Sequence, residues 1–119
     1  MSNAEQQRKF YRLKYPKRGR PSVRFSSELF HVSEVSEGGI RVIMNNFTSL
    51  YKGLCMKGTL SLHNDCEVVI EGAVLRFDEQ EVIVQLNKGP SFKDMVEEQR
   101  HIRNVFPRHF ELLRATQAA

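Results

Sequence analysis

Two arginines near the start of the chain and a glycine-containing run further on have the residue types and spacing of an anion-binding site. Arg8 and Arg12 are four positions apart, so their side chains lie on the same side of either a helix or a strand. Their planar guanidinium groups suit phosphate oxygens and the O6/N7 edge of guanine. The run Glu34-Val35-Ser36-Glu37-Gly38-Gly39 places a carboxylate, a hydroxyl and two glycines where a strand should turn. There the backbone can approach a ligand closely and its N–H groups are free to donate. We predict that the two segments form two halves of one nucleotide site.

Positive charge is concentrated in the N-terminal segment. Residues 8–24 contain eight cations and no acidic residue, whereas the rest of the chain has ten basic and fourteen acidic residues. A general coat of positive charge would favour nucleic acid or an anionic membrane, whereas a concentrated patch also suits a small dianion. Phe10, Tyr11, Leu13 and Tyr15 lie among the cations. We therefore expect the segment to contact an apolar surface rather than to form a solvated tail.

The two motifs resemble the signature of PilZ domains, which are receptors for the bacterial second messenger cyclic di-GMP. In that family, Arg-x-x-x-Arg is followed further along the chain by Asp/Asn-x-Ser-x-x-Gly. The first half matches as Arg8-Lys9-Phe10-Tyr11-Arg12, and Ser36 and Gly39 match the second half. Glu34 stands where the family has Asp or Asn. The resemblance covers about residues 7–110, which is nearly the whole chain.

This resemblance implies a role for each matched residue. Arg8 and Arg12 would bind phosphate and guanine from an arm that closes over the ligand. Glu34 would accept hydrogen bonds from the guanine N1/N2 edge. Its extra methylene, relative to Asp, places its oxygens about an ångström further out, so we expect weaker binding. Ser36 would contribute a hydroxyl, and Gly39 would let the backbone approach the ligand closely. Gly38 would add local flexibility, and Lys9 would add to the positive field.

Short strand-like runs separated by turn signals predict an all-β-dominated fold. The runs fall at residues 22–26, 29–35, 39–44, 59–62, 68–77 and 82–86. Gly72 is a predicted bulge, and Ala73, Leu75 and Phe77 are expected to share a face. Turns are expected at Gly38-Gly39, Asn45-Asn46, His63-Asn64-Asp65 and Asp78-Glu79-Gln80. We predict a six-stranded antiparallel β-barrel of the PilZ type, because a barrel removes exposed sheet edges.

A C-terminal α-helix is predicted beyond Gly89-Pro90, where the spacing of apolar residues changes. Ser91 is a suitable N-cap, and Asp94 lies in the first turn. Residues at helical spacing form one stripe on this helix: Phe92, Met95, Val96, Gln99 and Ile102. We expect this stripe to pack against the barrel, although it could instead form a surface for a partner protein. Pro107 interrupts the pattern, and a last short helical turn is expected after it.

The chain is expected to form a single domain over residues 8–119. Residues 1–7 are predicted to be a disordered N-terminus. Residues 8–21 are predicted to be an extended, basic ligand-binding arm, because Pro16 and Pro21 exclude a helix. Residues 22–119 would form the barrel and the C-terminal helix.

Other features argue against an enzyme, a metal site or a membrane protein. Ser36 has no Ser-His-Asp context, and no metal-ligand spacing relates the four histidines, which are His31, His63, His101 and His109. Cys55 and Cys66 are too far apart for a CxxC site and are expected to be reduced thiols in a cytoplasmic protein. No stretch approaches the roughly 20 apolar residues that span a bilayer. We expect a cytoplasmic binding protein without a cofactor or metal.

Three functions are compatible with the sequence. The first is a receptor in which cyclic di-GMP orders the arm and changes the surface shown to an unidentified protein partner. The second is a PilZ-like adaptor that has lost nucleotide binding, which only Glu34 supports. The third is a basic barrel that binds single-stranded nucleic acid by stacking on Phe10, Tyr11 and Tyr15. The net charge of +4 is low for the third function, so no nucleic acid polymer is expected as a partner. The sequence does not specify an oligomeric state.

Overall fold

The computed structural model describes residues 12–44 and 49–118, with side chains described as far as residue 113. In these residues, seven strands precede two helices. The strands are β1 (Leu13–Lys14), β2 (Ser22–Phe25), β3 (Glu28–Ser36), β4 (Gly39–Ile43), β5 (Cys55–Ser61), β6 (Glu67–Asp78) and β7 (Glu81–Lys88). The helices are α1 (Phe92–Val105) and α2 (Pro107–Ala118).

Six of the strands close into an antiparallel barrel. Strands β3, β2, β5, β6, β7 and β4 are hydrogen bonded in that order, and β4 pairs back with β3. Strand β1 is a short addition that pairs with the end of β3 beyond β2. The predicted six-stranded barrel with a C-terminal helix is therefore confirmed. The predicted turn at Asn45-Asn46 lies outside the described residues.

Alternating side chains on these strands fill the barrel. The fully buried members include Val23, Val32, Val35, Val42, Leu60, Ile70, Val82 and Val84. Each contributes roughly 1.5–3 kcal/mol by leaving water. The opposite face of the strands carries polar side chains together with some exposed apolar ones such as Leu75, and the candidate site lies on that outer face.

Register shifts interrupt β6 twice. One lies next to Gly72, where the sequence predicted a bulge, and the other follows Val74. The prediction that Ala73, Leu75 and Phe77 share a face was wrong. Phe77 packs against the core, whereas the Leu75 side chain is 45% exposed. The second shift adds a residue, and one extra residue reverses the alternation beyond it.

The predicted start of α1 is present as a capping box. The Ser91 hydroxyl accepts from the Asp94 N–H at 3.1 Å, and the Asp94 carboxylate accepts from the Ser91 N–H at 2.9 Å. Met95 and Ile102 belong to the same core cluster as the strand residues, which confirms packing on the barrel. Phe92 was wrongly included in that stripe, since it is 74% exposed. Helix α2 is 12 residues long, longer than the short turn predicted.

Residues 12–21 of the predicted arm are packed onto the barrel. Strand β1 pairs through Leu13 with Val35 of β3, and Leu13 is fully buried. The sequence predicted an arm that a ligand orders, and for these residues the structure differs. A 3-10 helix, Lys17–Gly19, also lies between the two prolines, so the expectation of a fully extended arm was wrong. Proline excludes helix interiors, but a turn of three residues has almost no interior. Residues 1–11 lie outside the described residues.

A buried carboxylate on α1 holds the arm in place. The Tyr15 hydroxyl donates to Glu98 Oε1 at 2.7 Å, and the His63 backbone N–H donates to Glu98 Oε2 at 2.8 Å. His63 Nδ1 lies 2.9 Å from Glu98 Oε1, and the His101 ring stacks on His63 with centroids 3.9 Å apart. Glu98 is only 2% exposed. These histidines are distant in sequence, but the fold brings them together.

Burial and hydrogen bonding shift the pKa values of this cluster. Burial alone would raise the pKa of Glu98, but the hydrogen bonds from His63 and Tyr15 outweigh it and lower that pKa. Burial, together with the neighbouring His63, lowers the pKa of His101. In both cases the folded protein binds a proton less readily than the unfolded chain does. Stability therefore rises with pH across each interval between the folded and unfolded pKa values.

Acidification is expected to destabilise the fold in two stages. The contribution of His101 is present above its ordinary pKa of 6.5 and is lost as the pH falls below that value. The contribution of Glu98 is present above its ordinary pKa of 4.5 and is lost as the pH falls through its lower folded pKa. Thermal unfolding followed by circular dichroism at successive pH values should show both stages. His101→Phe keeps a ring against His63 and should remove the upper stage; an unchanged pH profile in that variant would contradict the assignment.

Candidate ligand-binding site

A β-bulge decides which side chains of β3 reach the outer surface. The register between β3 and β4 shifts at Ser33. Val32 and Val35 are consequently both fully buried, although they are three positions apart. Glu34 and Ser36 therefore project from the outer face of the barrel wall. Without the extra residue, the alternation that buries Val32 would also direct Glu34 inward.

The second predicted motif forms the tight hairpin between β3 and β4. Ser36 pairs with Gly39. The Ser36 hydroxyl accepts from the Gly38 N–H at 3.2 Å and lies 3.3 Å from the Gly39 carbonyl oxygen, to which it donates. The expectation that the turn N–H groups are free was therefore wrong for Gly38. The local role of Ser36 is to shape the turn.

Gly39 lies where another strand passes close to the backbone of β4. Its φ is not in the left-handed region, and a Cβ atom there would lie 3.2 Å from the Val84 carbonyl oxygen of β7. A glycine, which has no side chain, therefore stands at the point where β4 and β7 approach each other. This packing allows the hairpin to lie against the wall that β7 contributes.

Strand β1 brings Arg12 to this hairpin. Because Leu13 points into the core opposite Val35, the preceding residue lies on the outer side, next to the end of β3. The Arg12 Nη1 atom is 3.8 Å from Glu34 Oε1, and the Arg12 side chain is 42% exposed. The structure thus brings Arg12, Glu34, Ser36 and the turn glycines together. Arg8 and Lys9 lie outside the described residues.

Arg41, which sequence reasoning missed, forms an ion-pair network beneath Glu34. Its Nε atom lies 3.3 Å from Glu34 Oε2, and its Nη1 atom donates to Glu81 Oε1 at 2.6 Å. Its Nη2 atom donates to Asp78 Oδ2 at 3.1 Å. Burial lowers the pKa of Arg41, but the hydrogen bonds and charges of these carboxylates outweigh it and raise that pKa. The only signal in the sequence was its position two residues after Gly39 on the same strand.

These residues surround a cavity on the outside of the barrel. Its volume is about 460 Å³, within the roughly 300–1,000 Å³ usual for small-molecule sites. The lining combines cationic, anionic and apolar side chains from β3, β4, β6 and β7 with Arg12, which directly precedes β1. The members used below are Arg12, Glu34, Arg41, Leu75, Arg76 and Ile83.

Other classes of site receive no support from the described residues. Among residues 12–44 and 49–118, no group of three or more histidines, cysteines and acidic residues has the arrangement needed for a metal ion. Neither described helix is sufficiently long and apolar to cross a membrane. Cys55 and Cys66 are free thiols, as expected.

Comparison with known proteins identifies the family. The family model for the PilZ domain matches residues 6–106. Among solved structures, the PilZ domain of YcgR from Escherichia coli with c-di-GMP has a TM-score of 0.61 and 12% identity, covering 91% of this chain and 98% of that one. Bacillus subtilis MotI/DgrA, an inhibitor of motility, has a TM-score of 0.63 and 16% identity, covering 82% of this chain. The alignment covers 50% of MotI/DgrA, so the chain spans about half the length of that protein.

No curated protein sequence matches the chain. The two structural similarities, at low identity, establish the fold, and the family match covers most of the chain, including both motifs. The chain belongs to the PilZ domain family.

Proposed function

We propose that this protein is a receptor for cyclic di-GMP, which it holds between the N-terminal arm and the β3–β4 hairpin. The observation that carries the proposal is the shared cavity described above. The bulge at Ser33 and the pairing of β1 place Arg12, Glu34 and Gly39 around one hollow.

The chemistry of the lining matches that of the ligand. Cyclic di-GMP carries two phosphates and two guanines. Arg12 and Arg76 line the cavity and are available for phosphate oxygens. Glu34 supplies an acceptor for the N1–H and N2–H donors of guanine. Leu75 and Ile83 add apolar surface against which a base can lie.

Arg12 can turn towards a phosphate at little cost. Its contact with Glu34, at 3.8 Å, is longer than the roughly 3.2 Å limit of a good N–H···O hydrogen bond. Ion pairs between partly exposed side chains contribute only about 0–1 kcal/mol. A phosphate that receives a charge-assisted hydrogen bond would gain more, about 1.5–3 kcal/mol. Arg12 is therefore suited to change partner when the ligand enters.

The arm also offers a route by which binding could reach a partner protein. Arg12 is followed directly by β1, and Tyr15 just beyond it is hydrogen bonded to Glu98 of α1. A ligand that displaces Arg12 would act on β1 and, through Tyr15, on the helix. The structure of a PilZ domain with c-di-GMP, that of YcgR, supports the choice of ligand.

Isothermal titration calorimetry of the purified protein with cyclic di-GMP tests the proposal directly. We expect saturable binding with a Kd in the micromolar range or below, equivalent to about −8 kcal/mol or stronger. GMP serves as a control, since it has one base and one phosphate and should bind much more weakly. Absence of binding at ligand concentrations well above this range would contradict the proposal and favour an adaptor that acts without nucleotide.

A further inference from the structure

The carboxylate of Glu34 forms an ion pair with a different arginine at each oxygen, and one of the two pairs is closer than the other. Its Oε2 atom lies 3.3 Å from the Nε atom of Arg41, which also lines the cavity. Its Oε1 atom faces Arg12, at the longer distance of 3.8 Å. The residue is 6% exposed, so its position is set by these neighbours rather than by solvent. Oε2 is therefore the more closely paired oxygen, whereas Oε1 has the longer contact, with the more exposed of the two arginines, which can give way to another partner.

Arg41 is itself fixed in place. Glu81 and Asp78 both accept hydrogen bonds from its guanidinium group. Glu81 is in turn held by the Ser33 hydroxyl, which donates to its Oε2 atom at 2.7 Å. Ser33 is the bulge residue of β3. The network thus connects the backbone irregularity that turns Glu34 outward with the cation that orients its carboxylate.

We infer that Arg41 is a positioning residue, which orients the carboxylate of Glu34. Arg41 thereby sets the preference of the site for guanine. This inference rests on the proposed function. With Oε2 held by Arg41, Glu34 presents Oε1 to the N1–H and N2–H donors of a guanine. Preorganisation of this kind strengthens binding because less side-chain freedom is lost when the ligand enters. Adenine has no N1–H or 2-amino group, so the same oxygen discriminates against it.

The length of the glutamate side chain is part of the arrangement. An aspartate at position 34 would be shorter by one C–C bond of about 1.5 Å. Its carboxylate would not reach the Arg41 Nε atom, which is already 3.3 Å from the longer side chain. Glu34 and Arg41 should therefore behave as a pair, in which each residue loses most of its value without the other.

A purely structural role for Arg41 makes a different prediction. Through Asp78 and Glu81, Arg41 links β4 to the turn between β6 and β7. If that link were its whole purpose, its removal would weaken all ligands equally. Asp78→Asn provides a matched control, because it removes one of the two negative charges that link Arg41 to β6 and β7 but leaves the Arg41–Glu34 contact. Asp78 does not line the cavity among the described residues.

The experiment is a set of calorimetric titrations in which each protein is titrated with cyclic di-GMP and, separately, with cyclic di-AMP. The proteins are the wild type, Arg41→Gln, Glu34→Asp, the double variant that combines these two substitutions, and Asp78→Asn. We expect Arg41→Gln to weaken cyclic di-GMP binding by about tenfold, the lower limit for one charge-assisted hydrogen bond. Cyclic di-AMP affinity should change little, so the preference for guanine falls. The double variant should be no weaker than Arg41→Gln alone. Asp78→Asn should retain the wild-type preference.

The outcomes separate this inference from the proposed function. Cyclic di-GMP binding by the wild type, with an unchanged guanine preference in Arg41→Gln, would overturn the inference alone. Failure of the wild type to bind would overturn both. If Arg41→Gln does not fold, Glu34→Asp tests the same pair by changing its other member. Weaker, less selective binding by Glu34→Asp supports the inference, whereas tighter binding of cyclic di-GMP overturns it.

Discussion

Replacing Arg8 and Arg12 together by alanine is expected to lower the affinity for cyclic di-GMP by about two to four orders of magnitude. Each charge-assisted hydrogen bond to phosphate contributes roughly 1.5–3 kcal/mol, so loss of both corresponds to about 3–6 kcal/mol. Arg12 lines the cavity, and Arg8, outside the described residues, belongs to the same motif. Calorimetric titration of the double variant measures the effect, and a wild-type Kd would exclude this site.

A second double variant distinguishes direct contact from the general positive field. Lys17 and Arg18 are exposed cations of the same segment, in the 3-10 helix, and neither lines the cavity among the described residues. Replacing both by alanine removes the same charge as the first variant. Since exposed charges act weakly through water and salt, the affinity should fall by only a few-fold. An equal loss in the two variants would mean that the arginines act only through their charge.

Gly72→Ala is expected to destabilise the barrel by about 3 kcal/mol or more, the upper range for overpacking. A Cβ atom at this position would lie only 2.0 Å from the Gln85 carbonyl oxygen and 2.9 Å from the Leu86 Cα atom. These are backbone atoms of the paired strand β7, so relief requires β6 and β7 to separate. Urea unfolding measures the change. Because Gln85 and Leu86 also line the cavity, ligand affinity should fall too.

Gly53→Ala is the matched control for the glycine effect. Gly53 has a φ of +89°, and nothing lies within 4 Å of the position that a Cβ atom would take. The substitution should therefore cost only the backbone strain of a left-handed residue, about 1–2 kcal/mol. If Gly72→Ala proved no more destabilising than Gly53→Ala, the close approach of β6 and β7 would not constrain the fold.

Much of the fold could be predicted because its signals are local. Alternating apolar residues and turn residues located the six barrel strands, and Ser91 with Asp94 marked the start of α1. The two bulges that change which way side chains face, in β3 and in β6, were harder to predict. Ser33 resembles any other strand residue, and nothing in the sequence distinguishes it as the extra one. The shared face of Ala73, Leu75 and Phe77 was predicted wrongly for the same reason, because the register shift after Val74 reverses the facing of the residues beyond it, including Phe77.

The site could be predicted only where residue types carried its chemistry. Arg12, Glu34, Ser36 and Gly39 were found by their spacing and by resemblance to a family, and the fold brings them together. Arg41 escaped notice because its importance depends on three carboxylates, two of which lie on or next to a distant turn. Glu98 escaped because apolar spacing selects apolar residues, whereas this buried position is occupied by a carboxylate whose partner Tyr15 is 83 residues away.

The closed ring of strands has a consequence for how this protein would respond to the ligand proposed above. Strand β4 is hydrogen bonded to β3 on one side and to β7 on the other, so the wall behind the cavity has no seam along which it could part. By contrast, β1 is tied to β3 through only two residue pairs. If the protein binds cyclic di-GMP as proposed, the barrel would serve as a fixed scaffold. Binding would then be transmitted through residues 12–21 and through helix α1, which Tyr15 contacts.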